Sequence, residues 1–214
     1  DQNPKDLEAF LDALNDKVEV SQDIVVLPGM VADALEAASP FENVHDKLLI
    51  DATSIVSTDP RSPDEPLEGS YNQPTPKWRQ QGAASPPFEG LEAVEALDGV
   101  RQARMLRPNM LVVSTNIEGT PSPRTGDHDG NDDLEAQRIE KISQLRNSIW
   151  GLDVEKNLRW LFITNDDLDM THTKARRRLL WQLTARFDVG RGLTFDEGRD
   201  RLCWDATTPI PSEE

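Results

Sequence analysis

The chain has 214 residues, a mass of 24.0 kDa, and 39 acidic against 23 basic side chains, for a net charge of −16. That excess argues against nucleic acid or an anionic membrane surface as the main partner, since both would repel it. The single cysteine, Cys203, excludes an internal disulfide framework and a thiolate zinc cluster, and no apolar run approaches the roughly 18–20 residues of a membrane span.

No basic-then-apolar signal segment leads the chain, so the expected setting is soluble, reducing and cytoplasmic. Residues 1–6 read as a loop that enters a helix carrying Leu7, Phe10, Leu11, Leu14 and Val18 at helical spacing. A short strand, Ile24-Val25-Val26-Leu27, is closed by Pro28-Gly29. A second short strand, Leu48-Leu49-Ile50, ends in Asp51-Ala52-Thr53.

Residues 56–90 hold seven prolines and almost no aliphatic side chains. Such a stretch cannot bury enough apolar surface to offset its ordering entropy, which predicts a linker or a surface-draped arm. Trp78 and Phe88 are either anchors on a folded surface or exposed aromatics. The organisation expected is therefore a unit over 1–55, the proline-rich segment over 56–90, and a folded region over 91–214.

From residue 91 the pattern alternates. Residues 91–97 predict a short helix, 110–114 a buried strand, and 118–133 a Gly/Pro/Asp loop. Residues 134–150 predict an amphipathic helix with Ile139, Ile142, Leu145 and Ile149 on one stripe. Residues 158–164 (LRWLFIT) predict a second buried strand and 174–186 another helix; short strands follow at 193–195 and 202–204. Strand, helix, strand, helix, strand implies an α/β fold with a mainly parallel sheet.

The two ends of the chain match. Residues 10–26 (FLDALNDKVEVSQDIVV) and 179–195 (LLWQLTARFDVGRGLTF) align without a gap at a constant shift of 169. Phe10 falls on Leu179, Leu14 on Leu183, Val18 on Phe187, Ile24 on Leu193 and Val26 on Phe195. Each segment then closes alike, in Leu49-Ile50-Asp51-Ala52-Thr53 and Cys203-Trp204-Asp205-Ala206-Thr207. The α/β unit is thus expected as one partial and one more complete copy. By this register Asp1 lies opposite Met170, and the second copy has a strand before that point. The expectation is that the first copy lost its opening strand and that this chain is the C-terminal piece of a longer polypeptide.

Four features of residues 158–207 stand in order. They are the strand Leu161-Phe162-Ile163-Thr164, the loop Asp166-Asp167-Leu168-Asp169, the helix Leu180-Trp181-Gln182-Leu183-Thr184-Ala185-Arg186, and the ending Trp204-Asp205-Ala206-Thr207. This order resembles the C-terminal domain of the UbiD family of decarboxylases, and residues 21–53 look like the closing part of the same domain. The resemblance covers about half of the chain. It departs at Asp188-Val189-Gly190-Arg191-Gly192, where the family carries Asp-Pro-x-Arg-Asp, and at the run Arg176-Arg177-Arg178.

The resemblance implies reversible decarboxylation of an aromatic or α,β-unsaturated acid on prenylated flavin mononucleotide with a metal ion. The family's flavin domain and catalytic residues lie upstream of this region, so no catalytic, cofactor-binding or metal residue is carried over. This chain would bind no cofactor itself. Its role would be oligomerisation and covering of the active site, and its partner the rest of a UbiD-like polypeptide or subunit within a homo-oligomer. The alternative is a non-catalytic α/β interaction module of the same ancestry.

The residues that could carry an interface or a ligand are Asp166, Asp167 and Asp169 with Arg176, Arg177 and Arg178. Carboxylates after a buried strand sit where open α/β sheets place ligands. They can bind a cation, as in a small-ligand sensor, or cap the helix that follows. Basic residues early in a helix oppose its dipole, and the acidic loop could compensate them. Residues 127–133 fail the spacing of a calcium loop, since Gly130 is fourth and Arg138 twelfth. His45, His128 and His172 stand singly, Cys203 reads as a buried hydrophobe, and the Asp-Ala-Thr triplets read as structural turn fixers.

Overall fold

The computed structural model describes residues 7–21, 23–31, 44–52, 87–117, 132–165, 173–185, 187, 189–198 and 200–207. The chain opens with helix α1 (Leu7–Lys17) and strands β1 (Ile24–Val31) and β2 (Val44–Ile50). Helix α2 (Leu91–Glu95), β3 (Val100–Arg107), β4 (Met110–Thr115) and α3 (Asp132–Leu152) follow. The end of the chain contributes β5 (Trp160–Thr164), α4 (Thr173–Ala185), the short α5 (Val189–Gly192), β6 (Leu193–Phe195) and β7 (Leu202–Asp205).

Five strands form one sheet in the order β3-β4-β5-β7-β6. The central strands β4, β5 and β7 run parallel, while β3 and β6 are antiparallel edges. The parallel character expected from sequence thus holds in the middle only. Both edges are reached by tight hairpins, which reverse the chain where a crossover helix would keep its direction. Strand β3 has no counterpart in the sequence reading. None of its residues VRQARMLR is fully buried, and they include Arg101, Arg104 and Arg107, so it lacks the apolar run that marks β4.

The sheet is covered on both faces. Met110, Val112, Trp160, Phe162, Leu202 and Trp204 point to one side and pack with Leu7, Leu11 and Leu14 of α1 and Leu179 and Leu183 of α4. Leu111, Val113, Leu161, Ile163 and Cys203 point to the other and pack with Val94 of α2 and Ile142, Leu145 and Ile149 of α3. Strand residues alternate faces with a period of two, so strands buried on both sides read as unbroken apolar runs. Phe88 is buried in the second of these clusters, with its amide donating to the Pro108 carbonyl at 2.9 Å. Trp78 lies outside the described residues.

Strands β1 and β2 form a separate antiparallel pair. Strand β1 does not stop at Pro28-Gly29 as its composition suggested. It continues to Val31 through a register shift between Leu27 and Met30. Proline lacks an amide donor and Gly29 adopts a φ of +64°, so both suit a bulge. The Gly29 amide donates to Asp46 Oδ1 at 2.9 Å and holds that bulge.

The first unit is bonded to the rest. Arg107 donates to Glu8 Oε2 at 2.9 Å and Asp12 Oδ1 at 2.7 Å, tying β3 to α1. Arg159 donates to the Asn15 carbonyl at 2.9 Å, near the C-terminal end of α1. Ile24, Leu48, Ile50 and Ala52 join the same core as Leu193, Leu202, Trp204 and Ala206. Among the described residues no helix is long and apolar enough to cross a membrane.

Candidate functional site

The carboxyl ends of the parallel strands carry a buried polar cluster. Strand alternation explains its layout: Thr164 follows Trp160 and Phe162 toward α4, while Asp205 and Thr207 follow Cys203 toward α3. On the α3 side, Arg138 Nη1 donates to Asp205 Oδ2 at 2.8 Å and to Thr207 Oγ1 at 2.7 Å. Asp205 Oδ1 accepts from the Thr207 amide at 2.9 Å and from its hydroxyl at 2.5 Å. The Arg138 and Asp205 side chains are only 1% and 6% exposed.

Arg138 corrects the stripe expected on α3. Ile142, Leu145 and Ile149 face the core, but Ile139 is 41% exposed and Arg138 takes the inward position. The physical reason is the depth at which α3 begins. Its first turns lie over the polar strand ends, where an apolar side chain would leave the Asp205 carboxylate buried without a cation. The sequence held a signal for this, because 138, 142, 145 and 149 are as good a helical stripe as one starting at 139.

On the α4 side, Thr164 Oγ1 donates to Gln182 Oε1 at 3.0 Å, and Gln182 is fully buried. Gln182 Nε2 has no partner, nor does Asn165 Oδ1, although Asn165 Nδ2 donates to the Ile117 carbonyl at 3.2 Å. A buried donor and a buried acceptor are thus left unbonded near the carboxyl end of β5.

Of the six residues singled out from sequence, four lie wholly or by their side chains outside the described residues. Asp166, Asp167 and Asp169 lie outside the described residues, immediately after Asn165 in the chain. Arg176 falls within α4, but its side chain is outside the described set; Arg177 and Arg178 are exposed on that helix. His128, His172 and Thr53 are likewise outside it. Among the described residues no group of three or more His, Cys, Asp or Glu is placed to hold a metal ion.

Cys203 is buried as expected. Burial pushes its thiol well above the ordinary range, and the nearby Asp205 carboxylate adds to the shift. A nucleophilic role would need the opposite shift. The second Asp-Ala-Thr triplet fixes its turn as expected, through the bond from the Thr207 amide to Asp205.

At the opposite end of the sheet a shallow cleft of about 290 Å³ lies between residues 87–90 and 152–157. That volume is at the lower limit for a small-molecule site. Its walls include Glu89, Asp153 and Glu155, which would oppose a phosphate. Asp153 is already committed, accepting from the Asn157 amide at 2.9 Å and the Leu158 amide at 2.7 Å. These residues do not fit a phosphate-bearing flavin.

Searches among family models, curated proteins and solved structures found no significant match to this chain.

Proposed function

We propose that this chain is the C-terminal oligomerisation and active-site-covering region of a UbiD-like decarboxylase, acting on an aromatic or α,β-unsaturated carboxylic acid. In this reading the prenylated flavin and the catalytic residues belong to the remainder of the polypeptide or subunit. The chain is not catalytic alone, and it works in a cytoplasmic homo-oligomer.

One observation carries the reading. The two α-β-β units have the same register as well as the same sequence pattern. In the first, Ile24 pairs with Ile50, Val25 with Leu49 and Val26 with Leu48. In the second, Leu193 pairs with Trp204, Thr194 with Cys203 and Phe195 with Leu202. These are the pairs that the shared Asp-Ala-Thr endings superimpose. Matching registers support a duplicated unit, and the unit is what carries the family resemblance.

The alternative, a non-catalytic interaction module of the same ancestry, is favoured by Gly192. A Cβ there would meet the Asp205 carbonyl oxygen at 2.6 Å, so the aspartate that the family pattern places at this position does not fit this backbone. Reconstitution separates the two readings. The flavin-bearing polypeptide, loaded with prenylated flavin, is assayed for exchange of labelled carbon dioxide into the substrate carboxylate, with and without this chain. The enzyme reading expects exchange only when the chain is present. Exchange indifferent to the chain, or micromolar flavin binding by the chain alone, refutes it.

A further inference from the structure

The two units differ in what covers their outer faces. In the second unit Cys203 is buried beneath α3, and Thr194 accepts from Arg146 of that helix at 3.0 Å. Arg201 lies beneath the helix C-terminus. Its Nη1 donates to the Trp150 carbonyl at 3.3 Å, and its guanidinium lies 5.1 Å from the Trp150 ring centre. A cation is favourable there because the last carbonyls of a helix lack intrahelical partners and carry partial negative charge.

The matching positions of the first unit are open. Leu49 stands where Cys203 does and is 56% exposed; Val25 stands where Thr194 does and is 44% exposed. Leu27 and Met30 extend the apolar surface along β1. Lys47 pairs with Leu27 as Arg201 pairs with Asp196, and it is exposed. On the opposite face Ile24 is buried and Leu48 and Ile50 are half-buried against the core, so the exposed apolar residues Val25, Leu27 and Leu49 share one side. A two-stranded ribbon packed on one face only is stabilised further by a helix on the other.

We infer that the Val25–Leu27–Leu49 face of the β1–β2 ribbon docks an amphipathic helix of a partner polypeptide. The apolar stripe of that helix lies on Val25 and Leu49, and its C-terminal carbonyls lie on Lys47. Charge complementarity fixes the direction. Lys47 is an exposed cation beside this apolar patch, on a chain of net charge −16. A helix C-terminus, with any acidic side chain beside it, is what Arg201 receives in the second unit, where its guanidinium also lies 3.8 Å from the Asp153 carboxylate. The inference rests on the duplicated-unit part of the reading above and not on decarboxylation.

The test uses the full chain and a synthetic peptide of its own residues 132–157, which spans the helix that covers the second unit. Binding is read by fluorescence anisotropy of the labelled peptide, and the contact surface by amide exchange of β1 and β2. The expected result is saturable binding with slowed exchange in β2. Leu49→Lys and Lys47→Glu should each weaken it by about tenfold or more, as loss of a central contact does. Arg101→Glu, on the exposed edge strand β3, should leave it unchanged. Absence of binding at high micromolar peptide, or binding indifferent to both ribbon variants, overturns the inference. So does concentration-dependent dimerisation of the chain that Leu49→Lys abolishes, since a second copy would then be the occupant. Carbon dioxide exchange plays no part in this readout, so either proposal can fail without the other.

Discussion

Arg138→Met tests whether the polar cluster at the strand ends is a structural lock. The methionine keeps an unbranched apolar stem but removes the guanidinium, whose side chain is 1% exposed. Two short bonds are lost, at 2.8 Å to Asp205 and 2.7 Å to Thr207. The Asp205 carboxylate, 6% exposed, keeps only the donors of Thr207 among those described above. Breaking a buried pair by removing one partner costs about 3–5 kcal/mol, because the remaining charge stays desolvated. Hydrogen bonds to charged groups, at about 1.5–3 kcal/mol each, lead to the same range for two bonds. Urea unfolding followed by tryptophan fluorescence measures the loss, since Trp160 and Trp204 are buried in the same core. The double variant Arg138→Met with Asp205→Asn should cost less than the two single changes summed, with a coupling of at least about 1 kcal/mol. A single-variant loss below about 1 kcal/mol, with additive behaviour in the double, would place the pair among ordinary solvated ion pairs and refute the reasoning.

Three further outcomes are expected. Burial pushes the Asp196 carboxyl up, but the Arg201 and Asp200 amides and the Arg201 guanidinium outweigh it and hold the group below its ordinary value of 3.8. Its stabilising effect is therefore present above the unfolded value and lost as pH falls through the folded one; acid titration of Asp196→Asn should show a shallower loss, and an unchanged acid limb contradicts this. The Cys203 thiol should resist a disulfide reagent in the native chain and react on unfolding, so that its labelling rate follows denaturant as the global opening does. Rapid native labelling would contradict its burial. Gly192→Ala should destabilise by about 1–3 kcal/mol in thermal unfolding, because the neighbouring atom is the Asp205 backbone oxygen, which cannot swing aside; a neutral effect would count against the close approach of α5 to β7.

Much of the architecture was readable from residues alone. The helix periods at Leu7–Val18 and Ile142–Ile149 and the apolar runs of β4 and β5 are local patterns. Periodicity reports which side of an element is apolar, and that information lies within a single segment. The antiparallel pairing of β1 with β2 and of β6 with β7 was not readable in that way, since alternating strands and helices imply parallel neighbours. What tertiary structure alone decided is where polar groups meet. Arg138 and Asp205 are 67 residues apart, and only the stacking of α3 on the sheet brings them to 2.8 Å. Strand β3 was hidden because this edge strand buries no residue fully and pairs through its backbone, which sequence composition does not mark. The contrast between buried Cys203 and exposed Leu49 was equally out of reach. Burial is a property of the neighbour that arrives, and an apolar side chain looks the same in sequence whether a helix covers it or not.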